Sequence, residues 1–233
     1  MHRLIVRSAV YKQASSIADS GPPIADSRGN PRSAIRNLQS VDPDNRLLSQ
    51  FPLRRLDAEA LRDSMLAISG EPDFKQGGPF VRTERNAEGS VVVDEKQPGA
   101  RRRSVYLQQR RTQVLTMLEL FDAPSIVATC GTRTTSTVPL QSLALLNAEF
   151  ARNRAAAFAR RLEQEAGSDA AARICLAFRL ACGREPTPAE KSASQSFVAT
   201  QHAIYETEKD GGKRAWADFC QMVLASNAFL YVE

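Results

Sequence analysis

Residues Arg101 to Asn147 read RRRSVYLQQRRTQVLTMLELFDAPSIVATCGTRTTSTVPLQSLALLN, and this stretch joins a charge-mixed first half of the chain to a helical second half. Arg103 to Gln108 alternates enough to predict a strand. Val114, Leu115, Met117, Leu118 and Phe121 then have the spacing of a short buried helix, closed by Asp122-Ala123-Pro124 because the residue before a proline resists helical geometry. A hydroxyl-rich loop around Cys130 follows. Thr137 or Val138 next opens a helix with Pro139 in its first turn, where the missing amide hydrogen is harmless. Leu140, Leu143, Leu146, Phe150, Ala157 and Phe158 keep one face apolar to about Leu162, so this is the longest predicted element.

Working outward, the C-terminal side is a run of helices over 138–233. Asp169 begins one, with Ala171, Ile174, Phe178 and Ala181 inward and Gly183 as its stop. Thr187-Pro188-Ala189-Glu190 has the form of a capping box with proline at the first helical position. The last helix carries Trp216, Phe219, Cys220, Val223 and Leu224 on one face, and Trp216, Asp218, Asn227 and Tyr231 are read as structural.

On the N-terminal side, residues 71–111 change character. Glycine and proline pairs bracket two short β-prone runs, Phe80 to Thr83 and Ser90 to Asp94, and with the 103–108 strand they predict a small antiparallel insertion. Before it, Asp57 is placed as the N-cap of a helix with Leu56 and Leu61 as a hydrophobic staple, Met65 and Ile68 continuing the face, and Gly70 as the stop. Residues 16–40 are rich in glycine and proline and predict a loop or mobile insertion. Leu4, Ile5, Ser8, Ala9 and Tyr11 fall at helical spacing in an opening helix to about Ser15. The fold class expected is a mostly α, multi-helix single domain with a small antiparallel β insertion.

The 233 residues suffice to bury a substantial core, and 42% hydrophobic with 24% charged residues is ordinary for a globular chain. No stretch predicts a membrane span. The net charge of +5 is concentrated: residues 101–111 hold five arginines and no acid, while the segments on either side nearly balance. Cys130, Cys175, Cys182 and Cys220 show neither Cys-x-x-Cys nor haem-attachment spacing, and His2 and His202 are the only histidines, so no metal site is expected.

Two groups of residues could carry function. Arg101, Arg102, Arg103, Arg110 and Arg111 form an anion-binding candidate, since guanidinium engages phosphate or carboxylate bidentately. The plainer reading is two solvated patches flanking a strand, because a nucleic-acid binder usually has a broader basic footprint and stacking aromatics, and Tyr106 is the only aromatic nearby. The second group is Cys130, Arg133, Thr135, Thr137 and Gln141, with Arg103, Tyr106 and Asp122 completing a candidate polar site near a helix N-terminus that would favour an anion or thiolate. There the plainer reading is a loop whose hydroxyls cap the helix and whose Arg133 pairs with a carboxylate such as Asp122.

The runs RRSVYLQQRR, LELFDAPS and TCGTRTTSTVPLQSLALLN carry a resemblance, together with Met1 to Ile5, Asp42 to Leu66, LAFRLACGREPTPAE and the closing WADFCQMVLASNAFLYVE. In that order they resemble the planctomycete-type domain of unknown function 1553. The resemblance implies the C-terminal module of a large exported protein with cytochrome-c-like domains, hence an extracytoplasmic (periplasmic) location. It implies an N-terminally incomplete domain, with the export signal upstream, because no secretory signal is visible in this chain. No cofactor is expected on the chain itself, and haem belongs to the upstream domains of the parent. The partners implied are those domains or another exported protein, with nucleic acid unfavoured. The function expected is non-catalytic binding or assembly, against a hydrolytic or redox-linked enzyme module built on the polar site and, further back, a weak polyanion binder through the arginine cluster.

Overall fold

The computed structural model describes Arg46, residues 54–127 and residues 129–232. The opening helix and the 16–40 loop fall outside the described residues. The chain divides into two compact units, residues 1–55 with 231–233, and residues 56–230. In the first, β1 (Arg54–Arg55) pairs antiparallel with β4 (Tyr231–Val232), Arg54 opposite Val232 and Arg55 opposite Tyr231.

The second unit begins with α1 (Ala58–Ile68). Leu61 and Met65 are wholly buried on one face, and Gly70 adopts φ 76° beyond its end, where a β-carbon would crowd the Arg161 side chain. That arginine donates to the carbonyls of Ala67 and Ile68 at 3.1 and 2.9 Å, placing a cation at the helix C-terminus, where the dipole favours it. Asp57 occupies the N-cap position but makes no capping hydrogen bond through its side chain.

The insertion contains one antiparallel pair, β2 (Glu84–Arg85) with β3 (Val91–Val92). The expected third strand is absent: Ser104–Tyr106 forms a single 3-10 turn. The cause lies outside the segment. Asp63 on α1 accepts from both the backbone N and the Oγ of Ser104 at 2.7 Å, which curls the chain where alternation alone predicts extension. Leu107 keeps an isolated parallel bridge to Val81. The fold is thus mostly α with two small antiparallel two-stranded sheets.

The short helix α2 (Thr116–Leu120) buries Leu118. It ends with Asp122 N bonded to Glu119 O and Ala123 N to Leu118 O, a Schellman pattern that puts Asp122 at φ 62°. The long helix expected from 138 to 162 is two helices, α3 (Pro139–Asn147) and α4 (Glu149–Ala166), because Ala148 takes ψ 132°. Gln221 accounts for the break: its side-chain amide donates to the carbonyls of Leu145 and Leu146 at 3.1 and 2.6 Å, satisfying last-turn acceptors of α3. The apolar face expected of that helix is also corrected. Leu140, Leu143 and Leu146 are exposed, and Gln141 and Leu145 are buried instead.

The remaining helices form the core. α4 packs along α7 (Gly211–Leu224), flanked by α5 (Ala170–Cys182) and α6 (Pro188–Ile204), with α8 (Asn227–Leu230) closing the unit. Ala151, Ala155, Ala157 and Ala159 of α4 are buried, which keeps that face narrow, while Phe158, Leu162, Ile174 and Phe219 fill the interior. Asp169 caps α5 through Ala171 N, Gly183 ends it in the left-handed region, and Thr187 with Glu190 forms the capping box that its sequence predicts.

Candidate functional site

The first turns of α1 carry Asp57, Glu59 and Asp63, and these three carboxylates gather the chemistry-bearing residues of the 101–137 stretch. Arg103 Nε lies 3.4 Å from Asp63 Oδ2, beside the Ser104 bonds to the same carboxylate. One turn earlier on the helix, Arg133 donates to both oxygens of Glu59 at 2.7 and 3.1 Å and lies 3.5 Å from Asp57. Glu59 and Asp63 are four residues apart and therefore neighbours on one face. Burial alone would raise the Glu59 pKa, but the Arg133 hydrogen bonds and charge reverse this and hold the carboxyl below its usual range.

Arg103 and Arg133 are thus brought to one helix, while Asp122 is not paired with Arg133 as the loop reading supposes. Asp122 instead accepts from Ser136 N and Ser136 Oγ, each at 2.8 Å. Its left-handed backbone aims the carboxylate back across the loop, and Asp tolerates that conformation better than most side chains. Gln141 is buried, and its Nε2 donates to Leu120 O at 2.9 Å and Ser136 O at 3.3 Å, tying α3 to α2. It braces the two helices. Cys130 is exposed as a free thiol directed at Thr132 O, 3.2 Å away, and Thr135 is exposed.

The arginine cluster does not form one patch. Arg102 is buried, stacked 3.8 Å from the centroid of the Tyr106 ring, with its guanidinium donating to the carbonyls of Pro79, Lys75 and Gly77. Tyr106 is therefore a packing partner, its hydroxyl accepting from Gly77 N at 3.4 Å. Arg101 pairs with Glu71 at 3.3 Å, and Arg110 and Arg111 lie exposed on a separate turn. Arg101, Arg103, Arg110 and Arg111 are exposed, as the reading of two solvated patches expects, but Arg102 points inward and the segment between the patches holds a 3-10 turn where a strand was expected.

The most deeply buried charges went unread in the sequence. Arg154 of α4 is 2% exposed and binds Glu71 at 2.5 Å and Glu95 at 2.6 Å. Arg62 of α1 is 1% exposed and donates to the carbonyls of Arg102 and Ala100, each at 2.9 Å. Both guanidinium groups lie over the Phe150 ring, 5.2 and 5.3 Å from its centroid. Burial lowers the Arg62 pKa to about 10, which still leaves it charged at neutral pH. The only available signal was that Arg154 follows Phe150 by four positions, hence on its face of the helix. At the C-terminal end, Tyr205 donates to Asp218 at 2.8 Å, and an open surface pocket at the α6–α7 corner is lined by His202, Tyr205, Glu208, Lys209 and Gly212.

What this arrangement does chemically is hold segments together. Each described charge of the candidate polar site is matched by an internal partner, and the Cys130 thiol faces a carbonyl, where a base would be needed for a nucleophile. Among the described residues no group of three His, Cys, Asp or Glu is placed to hold a metal ion, and no helix is long and apolar enough to cross a membrane.

Comparison with known proteins places this stretch inside one match. The sequence profile of a family described as "Protein of unknown function (DUF1553)" matches residues 1–198, a span that covers the polar site and ends within α6. No curated protein and no solved structure matches the chain.

Proposed function

Because the chain belongs to the DUF1553 family, to which no function is assigned, we propose that it is a non-catalytic binding and assembly module. In this reading it closes a longer exported protein with cytochrome-c-like domains, in an extracytoplasmic compartment, and its partners are the upstream domains of that parent or another exported protein. One observation carries the choice over an enzyme module. The groups that would have formed a catalytic constellation are spent on folding: Arg103 on Asp63, Arg133 on Glu59, Asp122 on Ser136. A site built for chemistry instead leaves such groups converging on a cleft with shifted proton affinities. The polyanion reading also loses support, since burial of Arg102 and pairing of Arg101 and Arg103 leave few arginines to release counterions.

The test is isothermal titration of the chain into the separately expressed upstream part of the parent. Saturable binding that survives Cys130→Ala and Arg133→Ala is expected. Absence of binding, or loss of binding in both variants with unchanged melting, overturns the module reading.

A further inference from the structure

Glu71 faces more positive charge than it can neutralise. Its Oε2 lies 2.5 Å from the buried Arg154 guanidinium, and its Oε1 faces two further arginines, Arg101 Nη2 at 3.3 Å and Arg160 Nη2 at 3.9 Å. Arg154 also holds Glu95 at 2.6 Å, so this connected group sets three guanidinium groups against two carboxylates. One positive charge is left over. It resides on the outer pair, because the Arg154 side chain is 2% exposed while those of Arg101 and Arg160 are 48% and 61% exposed.

The outer pair is also held loosely. Elsewhere an exposed arginine completes a two-bond fork with its carboxylate, as Arg133 does on Glu59 and Arg184 on Glu190. Arg101 and Arg160 touch Glu71 only as ion pairs, and among the described residues neither guanidinium makes a hydrogen bond. Asp73, two residues from Glu71, is turned to the Lys75 N, from which its Oδ1 accepts at 2.9 Å. Two forks of strong donors, one from the segment before the 3-10 turn and one from α4, are thus brought side by side with their hydrogen bonds unmade.

We propose that Arg101 and Arg160 form a docking site for a carboxylate side chain, an Asp or Glu on an acidic segment of a protein partner. The proposal rests on the assembly reading above and names the chemistry of the contact. Both nitrogens lie on one oxygen and are therefore at most about 7 Å apart, a gap that a further carboxylate bridges with two charge-assisted bonds of about 2.7 to 2.9 Å. Glu71 is the spacer that keeps the two cations together, and the incoming group takes their solvent-facing donors. The surplus of one charge selects a monoanion: a carboxylate neutralises it, whereas a phosphate group, at about −1.5 to −2, exceeds it. Two arginines are also too few to follow a polyanion backbone. An exposed contact of this kind is weak and salt-sensitive, and it sets the register of a larger interface more than its strength.

Backbone and arginine Nε NMR signals of the full isotope-labelled chain, titrated with an N-acetylated tetraglutamate peptide, read the site directly. Saturable shifts clustered at Glu71, Arg101 and Arg160 are expected, fading as salt is added, with tetraglutamine giving none and inorganic phosphate binding more weakly. Arg101→Gln and Arg160→Gln should each weaken the peptide about two- to fivefold, and the double variant more than either, all with unchanged melting. Arg179→Gln removes a comparably exposed, ion-paired arginine from α5 and should leave peptide binding as it was. Absence of shifts, shifts spread over the whole basic surface, an equal loss in Arg179→Gln, or tighter binding of phosphate overturns the proposal. An upstream part of the parent that binds the Arg101→Gln/Arg160→Gln chain as tightly as the unaltered one overturns it too and leaves the assembly reading standing. An upstream part that binds neither chain, with the peptide still docking at Arg101 and Arg160, overturns the assembly reading and keeps the carboxylate site.

Discussion

Arg133 donates its two terminal nitrogens to the two carboxylate oxygens of Glu59, at 2.7 and 3.1 Å, across 74 residues of sequence. The pair ties an exposed loop to the first turn of α1, at the end of a helix where a cation is disfavoured by the dipole and is retained because Glu59 and Asp57 both face it. The loop's second hold is Asp122 on Ser136.

Removing that pair should cost little stability. Both side chains are more than a third exposed, at 39% and 35%, so Arg133→Ala is expected to lower stability by about 0.2 to 1 kcal/mol, the range of exposed ion pairs, with faster amide exchange confined to residues near 133. Chemical denaturation with hydrogen exchange checks both, and a loss several-fold larger would mean the loop is integral to the core.

The buried arginine behaves oppositely. Arg154→Ala takes from Glu95 its ion-pair partner and leaves Glu71 only the more exposed Arg101 and Arg160, and should cost about 3 to 5 kcal/mol. Arg154→Met combined with Glu71→Gln and Glu95→Gln removes the uncompensated charges and should recover much of it. Urea unfolding of the single and triple variants decides; equal losses in both would show that shape, rather than charge pairing, sets the cost.

On α3 the exposed and buried leucines should separate cleanly. Leu145→Ala is expected to cost about 2 to 5 kcal/mol, since that side chain is 2% exposed. Leu143→Ala should stay within about 0.5 kcal/mol. Thermal melts measure the difference.

Acid should undo the start of α6. The Arg184 guanidinium is the main cause that holds Glu190 down at about 2, helped by the backbone N of Thr187. Because the folded pKa is depressed, the stabilisation is complete above the ordinary carboxylate range and is lost as pH falls from there toward about 2. Glu190→Gln should therefore lower stability at neutral pH and flatten the dependence below about pH 4.5. A wild-type and variant pair with parallel acid limbs would show that the ion pair contributes nothing.

Local chemistry sufficed wherever a residue's role is set by its near neighbours in the chain. Thr187-Pro188-Ala189-Glu190 had to start a helix, Gly70 and Gly183 had to end theirs, and the amphipathic spacing of Trp216, Phe219 and Val223 had to face a core, because capping and periodicity are short-range. The family resemblance was legible too, since motif order needs no coordinates. What only the tertiary structure decided is where each long polar side chain finds its counterpart. Asp63 turned an alternating segment into a 3-10 turn, Gln221 split one apolar run into α3 and α4 and left its leucines outside, and Glu71 with Glu95 drew Arg154 into the interior. Each of those partners lies tens of residues away, and an arginine written in a sequence looks the same whether solvent or a buried carboxylate receives it.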